Sequence, residues 1–254
     1  MTALQDIVGP ALIQYLWGFF TVFLRIGAAT ALLPAFGETH VPTRVKLGIA
    51  FAFTLIVLPA VGPIDQPDTL IPLIGTETLN GLALGIAVRF FIIALQIVGS
   101  IAAQSTSLSQ ILGGAAAEPV PAMGYLLVYA ALAVAVTAGL HIKLAMFFIL
   151  SYEVIPLGKL MAAAALSEWG VAQIRRCFEL AFTLAAPFVI LSLLYNIALG
   201  AINKAMPQLM VAFVGAPLIT IGGMFLLALA SPIMLATWIS ALDVFLANPF
   251  GAIP

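Results

Sequence analysis

Long uncharged stretches separated by short polar clusters set the pattern of this chain. Ile7–Leu24, Leu47–Ile64, Phe90–Ala117, Pro119–Ile142, Leu180–Asn203 and Ala205–Leu242 contain no Asp, Glu, Lys or Arg. A membrane-crossing helix takes about 20 largely apolar residues, within a range of about 17 to 25, and each interval can supply one. Ala205–Leu242 is longer than one span, and Pro217 and Pro232 can kink or divide it. The pattern predicts six major helical segments, near 10–33, 44–62, 78–103, 123–150, 177–202 and 208–246. Backbone groups in hydrocarbon need internal partners, which leaves helices or closed barrels. Runs such as Ala185-Ala186-Pro187-Phe188-Val189-Ile190-Leu191 lack the alternation of a barrel strand. The predicted fold class is therefore an all-α membrane-class protein, with some segments broken or hairpin-like.

Breaker residues mark the connections. Pro34–Thr43 holds Pro34, Gly37 and Pro42; Gly62–Thr76 holds Gly62, Pro63, Asp65, Pro67, Asp68, Pro72 and Gly75. Ser151–Arg176 carries much of the remaining charge, and Asn203–Gln208 reads as a short turn. Gly81 with Gly85, and Ala131 with Ala135 and Gly139, have the small-residue spacing that lets helix backbones approach in lipid. Packing within the chain is the first reading of both sets.

Composition narrows the class. Of 254 residues, 63% are hydrophobic and 7% charged, with mean hydropathy +1.20, whereas soluble domains carry about 25% charged residues. The apolar surface must face lipid, partner chains, or both. A net charge of −1 gives no field that would draw nucleic acid. Cys177, the single cysteine, excludes an intrachain disulfide framework and a cysteine zinc cluster. The first charge is Asp6 rather than a basic n-region, so the N-terminal run is read as mature structure.

Charge placement conflicts with simple alternation of spans. Arg44 and Lys46 after the first span, with Asp65, Asp68 and Glu77 after the second, favour an outside N-terminus. Lys159, Arg175 and Arg176 then fall on the wrong side. Three explanations stand: a segment that does not span, a broken hairpin at Gly139-Leu140-His141 within 123–150, or helices covered by other subunits.

Arg25 and Arg89 lie inside apolar segments, where a charge costs about 2.5–3.5 kcal/mol on insertion scales. Each is either a pore-facing or inter-subunit cation, or is paired with a carboxylate such as Asp243 or snorkelled to an interface. His40 and His141 have no companion ligands in a metalloprotease pattern, Ser105, Ser107 and Ser109 have no local base, and Gly113-Gly114 lacks the Lys-Ser/Thr of a phosphate loop. No catalytic, cofactor-binding or metal site is predicted. The Gln104–Pro121 segment is small-residue-rich and carries Glu118 as its only charge. At membrane depth irregular backbone survives only inside protein or beside water, so this segment either sits at a surface or lines a lumen.

Two stretches carry a resemblance. Val41-Pro42-Thr43-Arg44-Val45-Lys46-Leu47-Gly48 resembles the first connection of the FliR family, and the run from Asn196 through Asn203-Lys204-Ala205-Met206-Pro207-Gln208-Leu209 to Leu218 resembles that family's most recognisable part. Gly139-Leu140-His141 followed by Pro156-Leu157-Gly158 matches in kind and order, and the likeness runs from Trp17 to about Leu235. The resemblance implies a structural, non-enzymatic, channel-forming subunit of the flagellar type III protein-export gate in the bacterial inner membrane, at the flagellar basal body. It implies assembly with FliP and FliQ, association with FlhB, exported flagellar proteins as substrates, and contact with membrane lipid. It also implies a FliP-like region over 1–175 and a FliQ-like hairpin over 176–254, turning at 203–208, with Asn196, Asn203, Lys204, Pro207 and Gln208 as turn or assembly residues. The family's plug loop falls on 104–121, with Gln104, Leu108, Gln110, Ile111, Leu112, Gly113, Gly114, Glu118, Pro119 and Pro121 as candidates. Relatives carry aromatic residues and often Asp-Pro there, which this chain lacks. The competing reading is a stand-alone small-solute transporter or channel, with a polar site near Asn196 or Arg89.

Overall fold

The computed structural model describes residues 2–62, 64, 69–106, 122–206 and 211–251, with side chains from Leu12 onward in the first stretch and from Leu218 onward in the last. All regular structure among the described residues is helical: α1 (Thr2–Thr30), α2 (Thr43–Val61), α3 (Leu70–Thr106), α4 (Ala122–Thr137), α5 (Leu140–Val154), α6 (Ala163–Ala205) and α7 (Val211–Ala247). Five helices are long and apolar enough to cross a membrane, and α4 with α5 adds a sixth if the pair is one bent span.

Several boundaries differ from the expected ones for local reasons. Helix α3 starts at Leu70, not near 78, because Pro72 falls in its first turn, where a missing amide proton costs no hydrogen bond. That places Glu77 inside a helix rather than in the preceding connection. Helix α6 starts at Ala163, not near 177: Ala163-Ala164-Ala165-Leu166 are strong helix formers, and Arg175 pairs with Glu179 one turn on (Nε–Oε1 2.6 Å). Helices α6 and α7 run through Pro187, Pro217 and Pro232 without dividing. The 123–150 segment does break where expected. Gly139 adopts φ 80°, a left-handed conformation that glycine enters without a Cβ clash, and the helix axes turn by 77°. The result is a bend rather than an antiparallel return, and it removes Gly139 from the small-residue face of Ala131 and Ala135.

The chain forms two compact units. Unit 1 comprises residues 1–90, 135–174 and 242–254. Helix α2 packs on α1 and α5, and a run of rings (Phe36, Phe53, Phe148, Phe147, Phe245) at 5.8 Å spacing fills its interior. Unit 2 comprises 91–134 and 175–241. Its interior holds Leu95, Val98, Leu127, Leu184, Phe188 and Trp238, and Gly99 meets Gly124 so closely that a Cβ on Gly99 would overlap the Gly124 backbone. The Trp238 indole donates to the Phe91 carbonyl (2.8 Å).

Much apolar surface stays uncovered. Helix α3 buries 56% of its apolar window, but α2, α6 and α7 bury only 22–28%. Phe182, Leu193, Leu194 and Ile197 on α6, and Ile221, Met224, Phe225 and Ile233 on α7, are exposed. In water such faces would aggregate; they suit lipid or partner helices.

Candidate functional site

A fully buried ion pair lies at the centre of unit 1. Glu77, Gly81 and Gly85 follow one another at four-residue spacing on α3, and so form one stripe. Gly81 touches the Arg25 carbonyl of α1 and Gly85 the backbone of Ala29, leaving no room for a Cβ at either. The two backbones thus meet along a small-residue seam, and Arg25 extends from α1 to Glu77 beside it. The packing reading of Gly81 and Gly85 holds.

Arg25 is hydrogen-bonded through every N–H it has. Its Nε donates to Glu77 Oε2 (2.7 Å), and Nη2 donates to Glu77 Oε1 (3.1 Å) and to the Ile155 carbonyl (3.0 Å). Nη1 donates to the Ser151 carbonyl (3.2 Å) and Oγ (3.4 Å). The Ser151 hydroxyl passes its own proton to the Phe148 carbonyl (2.7 Å), so it is free to accept. The Ser151 and Ile155 carbonyls lie at the end of α5, where the helix dipole is negative. The Ile155 amide already donates to the Ser151 carbonyl (2.9 Å); Arg25 adds a second donor there and one to the Ile155 carbonyl, serving as a C-terminal cap. The guanidinium also lies 3.8 Å above the Tyr152 ring.

The carboxylate is held from the other side. The Gly158 amide donates to Glu77 Oε1 (2.8 Å), and Asn80, one turn further along α3, donates to the Lys159 carbonyl (2.9 Å). Gly158 has φ 70°, so glycine suits the turn that aims this amide. Arg25 and Glu77 are both 0% exposed. Such a pair is bidentate, saturated and dry, which suits it to locking helices together rather than to moving a proton or binding a ligand.

The other predicted residues scatter. Arg89 is partly exposed, donates to the Leu32 carbonyl (3.3 Å) and stands 3.9 Å from Glu38. Asp243, the carboxylate suggested for an intramembrane arginine, instead accepts from Lys143 (2.6 Å). Gln104 is an exposed residue of α3 rather than part of a loop. Leu108, Gln110, Ile111, Leu112, Gly113, Gly114, Glu118, Pro119 and Pro121 lie outside the described residues. The flanks of that segment are pinned within unit 2: Thr220 donates to the Thr106 carbonyl (3.2 Å), Gly223 packs on the Thr106 side chain, and Gly124 meets Gly99. Asn196 is exposed on α6 and donates to Ser192 of its own helix (2.8 Å). Asn203 and Lys204 belong to the last turn of α6, where the lysine complements the dipole. The helix stops at Ala205 because Pro207 disfavours helical backbone at Met206. Pro207 and Gln208 lie outside the described residues.

Glu77 was the residue missed. Its signal was its spacing, four residues before Gly81 and eight before Gly85, which continues the glycine stripe back to a carboxylate.

The chain matches the bacterial export proteins, family 1, over residues 16–244. It is 31% identical over 237 residues to the flagellar biosynthetic protein FliR of Caulobacter vibrioides, covering 88% of this chain and 94% of that protein. Against FliR of Escherichia coli the identity is 28% over 225 residues, 85% of each chain. Against FliR of Bacillus subtilis it is 28% over 211 residues, 79% of this chain and 80% of that one. Together with the uncovered membrane-length helices, these matches make the chain an integral membrane member of the FliR family of bacterial export proteins, a component of the flagellar export apparatus.

Proposed function

We propose that this protein is a structural, channel-forming subunit of the flagellar type III export gate in the inner membrane. It assembles with FliP and FliQ, associates with FlhB, and helps pass unfolded flagellar proteins. The observation that carries this reading is the uncovered apolar face of α6 and α7 in a member of an export family. Neighbouring helices would cover it. Residues 1–175 then act as the FliP-like region, 176–254 as the FliQ-like hairpin, and 104–121 as the plug that blocks the lumen until export starts. The role is architectural rather than enzymatic, in keeping with a buried ion pair whose hydrogen bonds are all spent on neighbouring helices.

A pull-down of tagged chain from its native membrane, read by mass spectrometry, tests the assembly. FliP, FliQ and FlhB should leave with it in one large complex. A monodisperse, partner-free protein would overturn the reading and put the stand-alone transporter first. Deleting residues 113–117 from the assembled complex should make cells leak small ions; normal assembly with unchanged conductance would remove the plug.

A further inference from the structure

Unit 1 has one cationic end. Arg44 and Lys46 occupy the first turn of α2, and Arg89 reaches the same connection from α3, beside the Leu32 carbonyl and Glu38. Glu38 is the only carboxylate of residues 31–46. From Leu70 to Arg89, α3 climbs about 30 Å at about 1.5 Å per residue, roughly the thickness of a hydrocarbon core. The 19 residues of α2 cover a similar distance. The cations therefore lie about one hydrocarbon thickness from the Leu70 end of α3, a separation that suits headgroup contact.

Directly below them is an open groove of about 400 Å³. Phe23 and Leu24 of α1, Ala31 just after it, and Leu47 and Ala50 of α2 make its apolar floor, and Lys46 borders it. Lys46 gives one proton to the Gly37 carbonyl (2.9 Å) and has two more to offer. Arg44 is exposed and lies one turn before Leu47, on the same side of α2. Pro42 supplies no side-chain cap to α2, so the positive end of the helix adds to the field.

We propose that this groove binds one anionic phospholipid, its phosphate on Arg44 and Lys46 and one acyl chain along the apolar floor. The charge pattern selects this occupant. An uncharged partner helix would fill the floor and leave both cations without an anion, whereas an anionic lipid satisfies both parts at once.

The test uses the full chain in nanodiscs containing equal amounts of phosphatidylglycerol and phosphatidylcholine, with retained lipid counted by native mass spectrometry after release. One phosphatidylglycerol should be retained in preference to phosphatidylcholine. Arg44→Gln should weaken that preference about fivefold, as expected for removing one cation near a membrane surface, and adding Lys46→Gln should abolish it. Ala31→Phe, which fills the groove from an exposed position, should remove the bound lipid with both cations intact. Equal retention of the two lipids by the unmodified chain would overturn the proposal, and that comparison needs no variant to fold. So would phosphatidylglycerol retention that survives Ala31→Phe, or crosslinks placing a partner helix in the groove of the native complex.

Discussion

The two units solve the same packing problem with opposite materials. Unit 1 seats a buried arginine and glutamate at a glycine seam, then ties them to the end of α5 and to the turn at Gly158. Unit 2 buries no charge among its described residues; Arg175, Arg176, Glu179 and Lys204 are its only charged positions there, and Arg175, Glu179 and Lys204 are exposed. It relies on backbone contact at Gly99 and Gly124, and on the Trp238 bond to Phe91. Directional bonds fix one register and penalise the loss of a partner. Close approach penalises added volume. The units should therefore fail to different substitutions.

The largest effect belongs to the ion pair. Arg25→Ala leaves Glu77 charged and buried and removes the guanidinium bonds to the Ser151 and Ile155 carbonyls, of which Ser151 keeps the Ile155 amide. Removing one member of a buried pair costs about 3–5 kcal/mol, so this variant should lose most of its folded population in thermal unfolding in detergent. Replacing both members, Arg25→Met with Glu77→Leu, removes the charges together and should recover most of that loss. If the double variant is as unstable as the single, the pair specifies the register of α1 against α3, and the contrast with unit 2 is sharper than stability alone.

In unit 2 the counterpart is Gly99→Ala. Its Cβ would enter the Gly124 backbone, which cannot move aside as a side chain can, and overpacking costs about 1–3 kcal/mol. No second substitution at Gly124 should rescue it, unlike the paired change in unit 1. Trp238→Phe is milder. It keeps most of the buried ring and removes only the indole bond to the Phe91 carbonyl, which lies within the α3 helix, for an expected loss of about 1 kcal/mol by the same melting assay. A loss as large as that of Arg25→Ala would mean that unit 2 also depends on a directional bond.

The helical membrane architecture was legible in the sequence because uncharged runs of membrane length admit few other structures. The break at Gly139 was legible too, since glycine there interrupts an otherwise continuous apolar run. The starts of α3 and α6 were not. Pro72 and Gly75 look like loop residues unless proline is allowed in a first helical turn, and the charges at Glu168, Arg175 and Arg176 look like a connection unless α6 continues past its apolar part. The first of these displaced Glu77 into a connection and hid the partner of Arg25. Arg25 stood out as a charge in an apolar run, but its partner depends on which helices meet. That is a tertiary fact, announced only by the four-residue spacing of Glu77, Gly81 and Gly85.

The smallest effect should come from Lys143 and Asp243, and it isolates burial as the variable. This pair lies in the same unit as Arg25 and Glu77 and is as short, 2.6 Å against 2.7 Å. Its side chains are 31% and 41% exposed where the other pair's are 0%. Water and salt can screen it, and partly exposed pairs typically contribute about 0–1 kcal/mol. A double-mutant cycle with Lys143→Met and Asp243→Asn should give a coupling below about 1 kcal/mol that shrinks as salt is raised. The cycle at Arg25 and Glu77 should be several times larger and insensitive to salt, since ions cannot reach it. Equal couplings at the two pairs would mean that bond length, not exclusion of water, sets their strength, and the distinction drawn between the units would lose its physical basis.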